Sequence, residues 1–155
     1  MSLFKEIIRR FNKEKIRYLL IGRQAVMFYG APLFSFDYDF WIHPEDKSKT
    51  YQILEERLDL EPSYPIESKR PIVSFLSISG EKIDVFFVRK ITNKDGETFD
   101  IDEVLRRSIM VKDKNFAIRL PHIDDLIGLK KIGERPKDLE DIEYLKALKK
   151  ELKIY

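Results

Sequence analysis

Cysteine is missing from this 155-residue chain. That absence excludes disulfides, thiolate metal sites and cysteine nucleophiles, and it fits a reducing compartment. Histidine is nearly missing too. His43 and His122 are the only two, they give no His-x-x-His spacing, and each is expected as a surface or capping residue rather than a metal ligand. No apolar run approaches the roughly 20 residues that span a bilayer, and Met1-Ser2-Leu3-Phe4-Lys5-Glu6 lacks the apolar stretch of a signal peptide. The expectation is a soluble cytoplasmic protein with no membrane partner. Charge of a single sign is lacking as well: 36% of residues are charged, yet the net charge is +2. A basic footprint for binding in a duplex DNA groove is therefore not expected. With no internal repeat, low-complexity segment or linker, residues 1–155 read as one domain, with a core over about 1–120 and C-terminal helices over about 121–155.

The apolar pattern that is present alternates between helix and strand periods. Leu3, Phe4, Ile7, Ile8 and Phe11 recur at helical spacing, predicting an amphipathic helix over 2–13. Tyr18-Leu19-Leu20-Ile21 reads as a buried strand ending at Gly22, and 23–29 as a short helix stopped by Gly30-Ala31-Pro32. A strand is expected over 36–42, a helix over 47–58, and a hairpin from strands 72–78 and 82–88 around Ser79-Gly80-Glu81. Asn93 to Gly96 suggests a surface turn, 102–107 a short helix, and 109–111 with 116–118 two brief strands. Pro121 opens a helix to about Ile132. Pro136 begins another, with an apolar stripe of Leu139, Ile142, Leu145, Leu148 and Leu152. Helices mixed with strands in one domain give an α/β or α+β class.

Two carboxylates, Asp37 and Asp39, interrupt the aromatic run Phe36 to Ile42. In a strand, residues two apart share a face and lie roughly 6.6 Å apart along it. Asp37, Asp39 and Trp41 would then face one way, and Phe36, Tyr38, Phe40 and Ile42 the other. Alone, an Asp-x-Asp more often marks the solvated face of a half-buried strand. Two features shift the weight towards a site. Ile21-Gly22-Arg23-Gln24 places a glycine and the start of a helix directly after a strand, where free N–H groups can receive phosphate. Asp84 adds a third acid inside the apolar strand Ile83 to Val88, and three carboxylates suit two-metal displacement at phosphorus. Trp41 is expected in the core, and Ser35 has no histidine partner to make it a nucleophile.

Taken together, Ile21-Gly22-Arg23, thirteen residues, Asp37-Tyr38-Asp39-Phe40 and the later Ile83-Asp84-Val85 resemble the signature of the DNA polymerase β-like nucleotidyltransferase superfamily. The stretch Leu120-Pro121-His122-Ile123-Asp124-Asp125-Leu126-Ile127, followed by Lys130, Arg135, Lys137, Asp138 and Asp141, is similar to the tail of small prokaryotic members, AbiEii-like toxins among them. The resemblance implies a mixed β-sheet flanked by helices with a helical C-terminal tail. It further implies transfer of a nucleoside monophosphate from an NTP such as ATP to a hydroxyl on a small molecule, a protein or an RNA end. Asp37, Asp39 and Asp84 would be the catalytic, Mg²⁺-binding acids of a two-metal site. Gly22, Arg23 and Gln24 would hold nucleotide phosphates, with Lys130, Arg135 and Lys137 reaching them from the C-terminal helices; solvated helix charge is the competing reading of those three. Arg23 stands where the family has Gly or Ser. It either pairs with phosphate or crowds the seat, and the second case would make the protein a nucleotide sensor or a toxin–antitoxin component. An Asp-x-Asp of a sugar-nucleotide glycosyltransferase or a phosphatase ranks last, since the chain is short for one and Trp41 stands where the other places Thr.

Overall fold

A computed structural model describes residues 2–152; residues 153–155 of the expected C-terminal helical segment lie outside it. The chain opens with α1 (Leu3–Lys13), whose first turn is capped by Ser2 Oγ accepting from the Lys5 N–H. Its buried stripe is Phe4, Ile7, Ile8 and Phe11, the periodicity visible in the sequence. Next come β1 (Tyr18–Ile21), α2 (Gly22–Phe28) and β2 (Tyr38–Ile42). A short α3 (Lys47–Tyr51) runs directly into a π-helical turn over Gln52–Arg57, together filling the helix expected over 47–58. β3 (Glu61–Pro62), β4 (Ile72–Leu76) and β5 (Lys82–Phe86) complete the main sheet.

That sheet is mixed, in the order β1-β2-β5-β4-β3, with β2 and β5 parallel and the remaining neighbours antiparallel. Helices cover it on both sides, which is why β1 and much of β2 read as continuous apolar runs. The pleat sends Tyr18, Leu20, Phe40 and Ile42 into the larger core with α1, and Leu19, Ile21 and Trp41 into a second core with Ile101, Val104 and Leu129. Trp41 is fully buried, as expected, and its indole N–H donates to the Val88 carbonyl at 2.7 Å.

Two ribbons follow. The strands β6 (Lys90–Thr92) and β7 (Thr98–Asp100) were not anticipated; they flank the Asn93 to Gly96 turn, whose Asn93 is buried and donates to the Gly128 carbonyl. After α4 (Ile101–Arg107), strands β8 (Ile109–Asp113) and β9 (Phe116–Leu120) extend the expected pair by two residues each. The C-terminal region holds α5 (Ile123–Lys130) and α6 (Pro136–Glu151). His122 and His43 both cap helical turns through Nδ1, and His43 is buried rather than at the surface.

Three local expectations need correction. β2 begins at Tyr38, so Phe36 and Asp37 precede the strand, and Phe36 is exposed instead of sharing the buried face of Phe40. The paired parts of the hairpin stop at Leu76 and Phe86, because 77–81 and 87–88 leave the ladder. The stripe of α6 is partial: Ile142 and Leu145 are buried, while Leu139 and Leu152 are exposed, and two aspartates, Asp138 and Asp141, share the buried side.

Candidate active site

The β-ladder brings together what the sequence separates. Asp39 is the register partner of Ile21 on β1 and of Asp84 on β5, so the two acids stand side by side on parallel neighbouring strands. Asp37 lies two residues before Asp39, exposed, in the segment entering β2. Gly22, the first residue of α2, has φ +71° and sits against Asp39: a Cβ added there would lie 2.3 Å from Asp39 Oδ2. The glycine is required by a carboxylate as well as by the turn, since no side chain fits that space.

Burial penalises the Asp39 charge most, and the nearby charges of Asp84 and Asp37 add to it; Lys130 and Lys137 oppose them, and the carboxyl ends pushed up to about 6. Asp84 is better supported. Ser74 Oγ donates to its Oδ1 at 2.5 Å, and Lys82 Nζ lies 3.5 Å from Oδ2.

Among the described residues, no three acidic or histidine side chains are gathered into a group that could hold a metal ion alone. Magnesium does not require one, because it retains several waters and is commonly held by one or two carboxylates together with substrate phosphates. Asp37 and Asp39, with hard oxygens and an excess of negative charge at Asp39, fit such an ion.

Beside the acids opens a cleft of ≈ 290 Å³ lined by Gly22, Arg23, Asp37, Asp39, Lys130, Arg135, Lys137 and Asp138, with Ile21, Phe86, Leu129 and Ile132 as its apolar part. The structure thus brings all but two of the residues expected to form the site to one opening. Gln24 is buried under it, and its Nε2 donates to the Ser35 carbonyl at 2.7 Å, tying α2 to the loop that carries Asp37. Asp84 stands behind Asp39, one strand away.

The cations of the cleft differ in how far they are committed. Arg23 turns to α6: Nε donates to Asp141 Oδ1 at 3.0 Å, and Nη2 to Glu140 Oε1 at 2.9 Å. Lys130 is buried between two aspartates, 3.1 Å from Asp138 Oδ1 and 2.8 Å from Asp141 Oδ2. The latter contact has the charge but not the alignment of a hydrogen bond, so Asp141 Oδ2 is a buried acceptor with a cation beside it and no aligned donor. Arg135 is mostly exposed and makes a forked pair with Asp138 at 2.9 and 3.2 Å. Burial raises the Asp138 carboxyl, but hydrogen bonds from Arg135 and Lys130 outweigh that and bring it down to about 2. Lys137 lines the cleft, and among the described residues its ammonium is in no ion pair.

The chain Arg23–Asp141–Lys130–Asp138–Arg135 fastens α2, α5 and α6 to one another along one wall of the cleft. Sequence reasoning named Arg23, Lys130 and Arg135 as phosphate ligands and quoted Asp138 and Asp141 without pairing them. The available signal was an acidic pair three residues apart, Asp138 and Asp141, placed among the apolar positions of α6.

With this geometry in hand, the chain is similar over nearly its whole length to solved nucleotidyltransferases. The candidate nucleotidyltransferase TM1012 from Thermotoga maritima superposes with a TM-score of 0.66 at 16% identity, over 99% of this chain and 92% of that one. The lincosamide antibiotic adenylyltransferase LnuA, with lincomycin bound, gives 0.65 at 16% identity over 92% and 93%. The antibiotic-resistance factor ANT(2'')-Ia gives 0.60 at 13% over 97% and 89%. No protein-family profile matches the sequence, and no curated protein matches it. The chain has the nucleotidyltransferase fold, with a mixed sheet, flanking helices and a helical C-terminal region. No helix among the described residues is long and apolar enough to cross a membrane.

Proposed function

We propose that this protein transfers a nucleoside monophosphate from an NTP to a hydroxyl acceptor, with pyrophosphate as the leaving group and Mg²⁺ as cofactor. The observation that supports the reading best is the pairing of Asp39 with Asp84 on adjacent strands, at a cleft whose other wall is cationic. Asp37 and Asp39 would hold Mg²⁺, which when bound supplies charge neutralisation on the transferring phosphoryl group. Lys137 faces the triphosphate, Lys130 adds its field from behind, and Ile21, Phe86, Leu129 and Ile132 receive the less polar parts of the nucleotide. The acceptor oxygen attacks the α-phosphorus, the bond from that phosphorus to the pyrophosphate oxygen breaks, and the hydroxyl proton passes to a carboxylate of the Asp37, Asp39 and Asp84 set, of which Ser74 orients Asp84. Catalysis of this kind is mostly positional and electrostatic.

Arg23 is a positioning residue in this reading. Its guanidinium is held by α6, so it neither crowds the seat nor is available to phosphate without leaving Asp141. A second reading, a nucleotide-binding module without transfer, such as a sensor or a toxin–antitoxin component, draws on Arg23, which stands where the resembled family has Gly or Ser and is engaged by Asp141 and Glu140 rather than free for phosphate. Calorimetry with Mg-ATP, followed by a search for label passing from α-labelled ATP to small hydroxyl compounds, RNA ends and proteins, separates the two. Transfer that is lost in Asp39→Asn is the expected result. Tight Mg-ATP binding with no transfer to any acceptor favours the second reading, and binding that survives Asp37→Asn with Asp39→Asn removes the metal assignment.

A further inference from the structure

A second cavity, of ≈ 500 Å³, adjoins the nucleotide cleft and shares Ser35 and Asp37 with it. Its lining differs. The cleft behind Asp37 mixes four cations, Arg23, Lys130, Arg135 and Lys137, with Asp39 and Asp138, whereas this one is bounded by Phe34, Phe36, Ser79, Glu81 and Lys82. Phe34 and Phe36 are 68% and 78% exposed, and they meet edge to face with ring centroids 4.6 Å apart. Folding gives no reason to hold two phenylalanines together in water at that exposure; paired apolar surface beside a polar rim is the mark of a binding surface.

Resting on the transfer reading above, we infer that this cavity is the acceptor site, and that the acceptor is a small hydroxyl-bearing molecule, uncharged or cationic, with an apolar face that lies on Phe34 and Phe36. In-line displacement requires the donor and the attacking hydroxyl to approach from opposite sides of the phosphorus, and Asp37 separates one cavity from the other. The charge of the second cavity sets the acceptor class. Asp37 and Glu81 present carboxylates, and its lysine, Lys82, is already near Asp84. A polyphosphate chain such as RNA meets repulsion there and little compensation, while a neutral polyol or an amine does not; aromatic faces also attract cations.

Protein carrying ¹³C-labelled phenylalanine tests this in solution. Phenyl β-glucoside, its 2-amino analogue and a short oligoribonucleotide are titrated separately, with the Phe34 and Phe36 resonances followed. The expected result is that at least one glycoside shifts both resonances, that Phe34→Ala with Phe36→Ala weakens its binding tenfold or more without lowering the unfolding midpoint, and that the oligonucleotide shifts neither. Shifts from the oligonucleotide, no shift from either glycoside, or a double variant that binds the glycoside unchanged would each overturn the inference. Mg-ATP is titrated into the same wild-type sample. Its failure to bind counts against the transfer reading, whereas the glycoside results decide the character of this cavity on their own.

Discussion

Asp39 carries the chemistry of the candidate site and also a cost to folding. Its carboxyl titrates near 6 in the folded chain against 3.8 in the reference state. Between those values the native state holds more protons than the unfolded one, so the contribution of Asp39 to stability falls as pH rises, and the penalty is complete above about 6. Asp39→Asn is therefore expected to stabilise the metal-free protein by about 1–3 kcal/mol at pH 8, with the gain fading towards pH 4; urea titrations at both pH values check this. If Asp39 holds Mg²⁺ as proposed, the same proton would compete with the ion, and metal affinity is expected to weaken as pH drops below about 6. Gly22 is the complementary case. Gly22→Ala adds a Cβ at 2.3 Å from Asp39 Oδ2, at a positive φ, and a loss of about 2–4 kcal/mol is expected from clash and backbone strain together. Chemical denaturation measures that loss, and an unchanged midpoint would show that the α2 entry can relax.

At the scale of elements, the ion network decides where α6 sits. Arg23 and Asp141 are 118 residues apart in sequence and lie within hydrogen-bond distance. Breaking a buried pair by removing one partner leaves an uncompensated charge and typically costs about 3–5 kcal/mol, whereas replacing the pair by apolar residues of similar size is far milder. Arg23→Met is thus expected to destabilise by about that amount, and adding Asp141→Leu to recover much of it, with Lys130 still paired to Asp138. A thermodynamic double-mutant cycle reads the coupling, and simple additivity of the two changes would contradict the pairing. Lys137 stands outside the network, so Lys137→Ala should leave stability within about 0.5 kcal/mol while weakening NTP binding.

For the molecule as a whole, two cores on opposite faces of one sheet, with helices tied together by buried charge, predict a protein whose acid sensitivity begins in its C-terminal helices. Asp138 is held at about 2 in the folded state against a reference of 3.8. Its contribution is complete above the reference value and is lost as pH falls through that window towards 2. Hydrogen exchange at decreasing pH should accordingly show α6 losing protection before α1 and the sheet; simultaneous loss everywhere would mean that Asp138 is not limiting. A ligand that binds only the native state adds to global stability by mass action. A hundredfold excess over Kd corresponds to about 2.7 kcal/mol, which raises the melting temperature by several degrees if Mg-ATP binds the native state only.

The sequence by itself determined the class of the fold, the amphipathic helix at the start and the buried strands, because those follow from local periodicity that needs no distant partner. It also singled out Gly22, Asp37 and Asp39 within one short stretch, and the resemblance to the nucleotidyltransferase signature added Asp84, 45 residues further on. What it left open depends on contacts across long stretches of chain. Only β2 lying parallel to β5 puts Asp39 beside Asp84. Only the docking of α6 shows that Arg23, Lys130 and Arg135 are bound to acidic side chains, leaving Lys137 as the cleft-lining lysine in no ion pair among the described residues. A charged residue looks the same in sequence whether it is solvated, paired or aimed at a ligand. The partner that distinguishes these cases arrives from another element, and tertiary packing decides which.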